Sequence, residues 1–202
     1  MTDVMADDAP RNMRPPRADA LRNREQLLAA AKEVFSAGGP EASLEAVARR
    51  AGVGIGTLYR HFPTREMLFE AVYRREVDQL ADLADQLPAG AAPVEALRRW
   101  LRANVEFVAT KKGMAAALAL AAHKPPELVA YSFARLSAAL ARLLARAVAA
   151  GELRDDVGAE DLLRTLVGMC LINDQPGWQD GVLRMVDVLV AGLRRAGGGN
   201  AH

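Results

Sequence analysis

The stretch from Ser43 to Arg65, SLEAVARRAGVGIGTLYRHFPTR, constrains the fold more than any other part of this chain. Its first half places Leu44, Val47, Ala48 and Ala51 at i, i+3, i+4 and i+7, one face of a helix, while Glu45, Arg49 and Arg50 point elsewhere. Gly52 stops that helix. A second helix, from about Ile55 to His61, turns Leu58 and Phe62 inward and leaves Thr57, Tyr59, Arg60 and His61 for the outside. Two short helices joined by a glycine turn form a helix-turn-helix pattern.

A bland helical hairpin would show the same periodicity, so the chemistry of the exposed face has to separate the two readings. That face carries a hydroxyl, a phenol, a guanidinium and an imidazole, and no carboxylate. Such groups are donors to phosphate oxygens. Ile55 and Gly56, apolar or small, let the start of the helix approach base edges, with Ile55 available to a thymine methyl. Arg65 opens the following helix near a second phosphate position.

The segment AGVGIGTLYRHFPTREMLFEAV resembles the DNA-binding signature of the tetracycline-repressor (TetR) family of bacterial regulators, over about Leu21 to Val72. The resemblance implies that Ser43, Thr57, Tyr59, His61 and Arg65 grip the DNA backbone, and that Glu45, Ile55, Gly56 and Arg60 meet bases or nearby phosphates. Gly54 departs from the pattern, standing where a polar residue often opens the recognition helix, so a side-chain cap is not expected there.

Charge is distributed to match. The whole chain of 202 residues carries a formal net charge of +1, which excludes a uniformly basic coat. Residues 11–65 nevertheless hold a net +5, against −3 in residues 1–10 and −1 in residues 66–202. The positive charge sits on the proposed DNA-binding part.

Cys170 is the single cysteine, so no intramolecular disulfide forms, and its neighbours Leu162, Leu166, Met169 and Leu171 predict a buried, inert thiol. No signal-peptide core is read at the N-terminus, and no apolar run is read as approaching the ~20 residues of a membrane span. A cytoplasmic protein with no membrane partner is the expectation.

Taken in order, residues 1–17 are rich in proline and charge and are expected to be disordered, with Arg11, Arg14 and Arg17 serving either solubility or as a basic arm reaching DNA. A helix from Ala18 to Ala37 carries Leu21, Leu28, Ala31 and Phe35 on one stripe; Gly38, Gly39 and Pro40 end it. Pro63 and Thr64 open a fourth helix running to about Leu87, and the sequence breaks over Leu87 to Pro93. A helix over 94–110 follows, interrupted at Lys111 to Gly113, then the alanine- and leucine-rich segment Met114 to His123, and a long helix from Pro125 to about Ala150. Helices over Ala159 to Ile172 and Gly181 to Arg195 complete an all-α fold of about nine helices, with no strand-like alternation. The expected divisions are a basic arm over 1–17, a helix-turn-helix domain over 18–65 and a regulatory and dimerisation domain over 66–202.

The last helix spaces Val182, Val186, Leu189 and Leu193 by 4, 3 and 4, a wider apolar surface than one core contact demands. It is either buried within its own chain or, with Leu162 and Leu166 of the preceding helix, meets a second copy across a two-fold axis. The resemblance implies the dimer, which would place two recognition helices about 34–36 Å apart on a palindromic operator of double-stranded DNA.

Catalysis finds no support in the residues. Gly52, Gly54 and Gly56 follow no strand and lack a Walker lysine, and the histidines His61, His123 and His202 are scattered, so no metal spacing exists. Ser132 and Ser137 have no adjacent histidine, and Asp155 with Asp156 reads as solvated surface. The chain is therefore read as a non-enzyme without cofactors.

The resemblance further implies a small-molecule effector bound among the C-terminal helices. Trp100, Asn104, Phe107, Met114, Leu118, His123, Tyr131 and Met169 are the candidates, although each suits core packing as well. Alanine- and leucine-rich walls would imply a largely apolar ligand. The expected function is thus a ligand-responsive, homodimeric transcriptional repressor. The alternative is a helical ligand-binding or protein-interaction module without specific DNA binding.

Overall fold

The computed structural model describes residues 16–37, 42–87, 92–117, 125–173 and 175–195, the side chains of residues 16–18 and 117 excepted. Eight helices are found among them: α1 (Pro16–Ala37), α2 (Leu44–Arg50), α3 (Ile55–His61), α4 (Arg65–Gln86), α5 (Pro93–Ala117), α6 (Pro126–Ala149), α7 (Ala159–Ile172) and α8 (Trp178–Gly192). No strand occurs among the described residues; an isolated backbone bridge joins Leu153 to Arg194. The fold is all-α: a helix-turn-helix unit followed by a helical C-terminal part.

Several boundaries differ from the sequence reading, each for a local reason. α1 already includes Pro16, two residues before the expected start at Ala18, and proline's fixed φ is compatible with a first helical turn. The interruption expected at Lys111 to Gly113 does not occur, and α5 runs through it to Ala117. An interior glycine costs only about 1 kcal/mol relative to alanine. Here a Cβ on Gly113 would lie 3.6 Å from the carbonyl oxygen of Phe35, so the glycine sits where the end of α1 approaches α5. α8 starts at Trp178, earlier than expected, because Gly177 turns the chain at φ 76°, and it ends at Gly192, also earlier than expected. Eight helices are thus found among the described residues; the expected segment Met114 to His123 continues α5 as far as Ala117 and lies beyond that outside the described residues. Residues 1–15, Gly38, Gly39, Pro40 and the break over 88–91 lie outside the described residues.

α4 and α5 form the spine. Leu68, Val72, Val77 and Leu80 of α4 and Leu97, Leu101, Val105 and Val108 of α5 are buried in one continuous core with Leu136, Leu140 and Leu143 of α6. Across the edge of this core, α4 and α6 run parallel, tied by a ladder of polar contacts. Tyr131 donates its hydroxyl to Asp78 at 2.6 Å, Arg135 bridges Asp78 at 3.2 Å and Asp82 at 2.9 Å, and Arg142 meets Asp85 at 2.9 Å. Each exposed pair contributes roughly 0.2–1 kcal/mol, so the ladder sets register more than stability.

Contrary to the sequence reading, one helix, α6, is long and apolar enough to cross a membrane. Its apolar face is taken up by the core, and its arginines pair with α4.

Candidate nucleic-acid interface

The hairpin is built by short-range hydrogen bonds. Ser43, extended at φ −129°, accepts from the backbone N–H of Ala46 at 3.1 Å and so caps α2. At the other end, Gly52 adopts φ 69°, a left-handed turn that a side chain would strain. Its N–H reaches the carbonyl of Arg49 at 3.1 Å, and that of Val53 reaches Ala48 at 3.0 Å, the paired bonds of a Schellman stop. α3 then starts at Gly54 with no side-chain cap, as the sequence suggested. Leu58, fully buried, and Phe62, nearly so, anchor α3 to the core shared with Val47 of α2 and Phe35 of α1.

This anchoring decides what faces outward. Ile55 is 38% exposed and Tyr59 45%, and Gly56, Arg60 and Arg65 are exposed beside them. Thr57 and His61 are half-buried on the flanks of the same helix. Glu45 is exposed on α2, and Ser43 spends its hydroxyl on the cap. Arg60 is laid back along α3, its Nε donating to the Gly56 carbonyl at 3.2 Å and its Nη2 to the Thr57 hydroxyl at 3.0 Å. Both partners are solvent-exposed contacts, weak enough for phosphate to replace. Thr64 caps α4 by accepting from the N–H of Met67 at 3.2 Å, which holds Arg65 at the first position of that helix. Arg17 lies in the first turn of α1, its side chain undescribed.

The residues proposed for a ligand are not gathered into one chamber. Trp100 is fully buried with its indole bonded to Leu80, and Tyr131 is turned to α4, where the hydrogen bond to Asp78 and then burial hold its phenol above the ordinary value. Phe107 and Met114 border a small cleft beside Tyr73, and Met169 borders a depression at the α7–α8 turn with Trp178 and Met185. Asn104 is fully buried, and neither of its amide atoms has a hydrogen-bond partner. Leu118 and His123 lie outside the described residues.

The residues expected to pair two chains lie mostly inward in the single chain. Leu162, Leu166, Val182, Val186 and Leu193 are buried in the chain's own core, and Leu189 packs half-buried against it. Periodicity located the apolar stripe correctly but could not say which neighbour it meets. The apolar residues that α7 and α8 leave outside are Leu171, Ile172, Met185 and Val188, from 43% to 83% exposed. The sequence reading also missed Glu76, buried in α4 and ion-paired to Lys32 of α1. A carboxylate between Val72 and Leu80, on an apolar stripe, was the available signal.

Comparison with known proteins agrees with this geometry. Residues 27–72 match the family model for bacterial regulatory proteins of the tetR family, and residues 92–195 match that for the C-terminal domain of SbtR-like transcriptional regulators. The fold is similar to a TetR transcriptional regulator from Streptomyces coelicolor (42% identity, TM-score 0.69, covering 86% of this chain and 99% of that one). It is also similar to a TetR transcription regulatory protein from Mycobacterium vanbaalenii (36% identity, TM-score 0.71, covering 90% and 100%). Among curated proteins, the HTH-type transcriptional repressor KstR of Mycobacterium tuberculosis is 40% identical over 76 residues, 37% of this chain and 34% of that one. A transcriptional regulator of Staphylococcus aureus is 33% identical over 72 residues, 35% of this chain and 38% of its own. The chain thus spans little more than a third of the curated relatives it matches.

Proposed function

Because the chain belongs to the TetR family of bacterial transcriptional regulators, whose N-terminal domain binds DNA, we propose that it is a repressor that binds a palindromic operator as a homodimer. The observation that carries the reading is the outer face of α3. Ile55, Thr57, Tyr59, Arg60 and His61 form a surface of donors and one apolar contact, free of carboxylates, on a helix whose other side is locked into the core by Leu58. Tyr59, Thr57, His61 and Arg65 suit phosphate, and Arg17 is assigned to phosphate by residue type; Ile55, Gly56, Arg60 and Glu45 suit base edges or adjacent phosphates. Similarity to the repressor KstR supports repression.

Residues 18–65 would act as the DNA-binding unit and residues 66–202 as the regulatory unit. The exposed residues Leu171, Ile172, Met185 and Val188 support pairing through α7 and α8. The unpartnered amide of Asn104 supports an effector within the C-terminal core, since a buried polar group without a partner is costly and a ligand would satisfy it. Trp100, Phe107, Met114, Tyr131 and Met169 surround that core on its several sides.

Selection of bound sites from random duplex DNA, followed by titration at several salt concentrations, tests the reading. A palindrome bound by a dimer with a steep salt dependence is expected. Ligand-free dimer with no sequence preference would overturn it.

A further inference from the structure

We propose that the groove between α1, α4 and α5 is a second ligand site, which takes a primary alkylammonium ion in exchange for Lys32 on Glu76. The groove has a volume of about 320 Å³, within the range of small-molecule sites. Its apolar lining comes from Leu80, Leu83 and Phe107, and its charged lining from Lys32 of α1, Glu76 of α4 and Glu106 of α5. Two carboxylates face one ammonium, so the groove carries an excess negative charge. Glu106, exposed at the rim, has no ion-pair partner among the described residues.

The burial of the Lys32–Glu76 pair is lopsided. The Glu76 side chain is 9% exposed and the Lys32 side chain 42%. The cation can therefore leave for water, and the carboxylate cannot follow. A buried carboxylate stripped of its partner is strongly destabilising, so Lys32 departs only as another cation arrives. Lys111 borders the adjoining cleft with Glu76, but its ammonium is committed to Tyr73, 4.7 Å above the ring and 3.4 Å from the hydroxyl. A primary ammonium offers the same three donors as lysine. Its hydrocarbon chain would lie along Leu80, Leu83 and Phe107, which the tethered lysine leaves open. Net charge disfavours a carboxylate ligand, and the unreplaced charge on Glu76 disfavours a neutral one. Exchange would also release the tie between α1 of the DNA-binding part and α4.

Calorimetric titration of the full chain with n-octylammonium chloride, octanoate and 1-octanol tests this, without DNA, so that its outcome is independent of the DNA-binding reading. Octylammonium is expected to bind one ion per chain, with octanoate and octanol at least about tenfold weaker. Lys32→Met removes the competitor and should tighten octylammonium binding about fivefold or more; Glu76→Gln should weaken it about tenfold. Glu106→Gln, at an exposed position with no structural partner, should weaken it about threefold and serves if Glu76→Gln does not fold. Equal binding of octanol or octanoate, or a Lys32→Met variant no tighter than the native protein, would overturn the proposal.

Discussion

Trp100, with no exposed surface, donates its indole N–H to the main-chain carbonyl of Leu80 at 2.7 Å. The bond pins the first third of α5 to the last third of α4. Trp100→Phe keeps an aromatic ring but loses the donor and part of the packed volume. It should destabilise the chain by about 2–3 kcal/mol, with an unchanged denaturant slope in urea unfolding. A loss below about 0.5 kcal/mol would mean the bond is not a structural tie.

Gly54 opens α3 in an extended conformation, φ −70° and ψ 149°, with no side-chain cap. A Cβ there would meet nothing within 4 Å. Gly54→Ser is therefore expected to stabilise the hairpin by about 0.5 kcal/mol through a cap and a less flexible unfolded chain. Thermal unfolding would record it as a small rise in Tm.

On DNA, Tyr59→Phe should weaken binding to operator and scrambled duplex alike, by roughly three- to tenfold, since it removes a phosphate donor. Thr57→Ala should do the same, with a further effect from freeing the Arg60 guanidinium that its hydroxyl accepts from. Ile55→Ala should instead change which base is preferred at one operator position. Fluorescence anisotropy with both duplexes distinguishes these patterns.

How much of this was readable beforehand follows from distance along the chain. The hairpin was legible because its determinants are local: an i, i+3, i+4 stripe, a glycine whose left-handed turn is needed, and a serine cap, all between Ser43 and His61. The bounds of α7 matched the sequence reading for the same reason. Periodicity could not choose between partners: Val182, Val186 and Leu166 suited either their own core or a second chain, and their own core covers them. The Lys32–Glu76 pair joins helices far apart in sequence, as does the approach of Gly113 on α5 to the carbonyl of Phe35 on α1. No local pattern encodes such contacts.

If α7 and α8 pair two copies, Ile172→Asp or Val188→Asp should shift dimer to monomer in sedimentation experiments while leaving the helical content unchanged, because both side chains are exposed, at 83% and 59%. Val186→Asp, at a fully buried position, should unfold the chain instead. Dimers that survive both exposed substitutions would remove this face from consideration.

Burial pushes the Cys170 thiol up from 9.0 to about 11, against a smaller opposing pull from Lys112. Between those values the thiolate forms in the unfolded chain but not in the folded one. Its contribution to stability is therefore complete below pH 9 and is lost as pH rises through about 11. At pH 8 native protein should react with a disulfide reagent orders of magnitude more slowly than protein in urea.

α4 is a single helix of 22 residues, capped by Thr64 at one end and clasped by α6 along the other. It is a rigid rod about 33 Å long, so a tilt of about 5° at the clasped end moves the far end by about 3 Å. Two such rods related by a two-fold dimer axis would change the separation of their tips by about 6 Å, an appreciable part of the ~34 Å DNA repeat. Leverage of this kind needs no change in the recognition surface itself: α3 keeps its shape, and only the distance between two copies of it is spoiled.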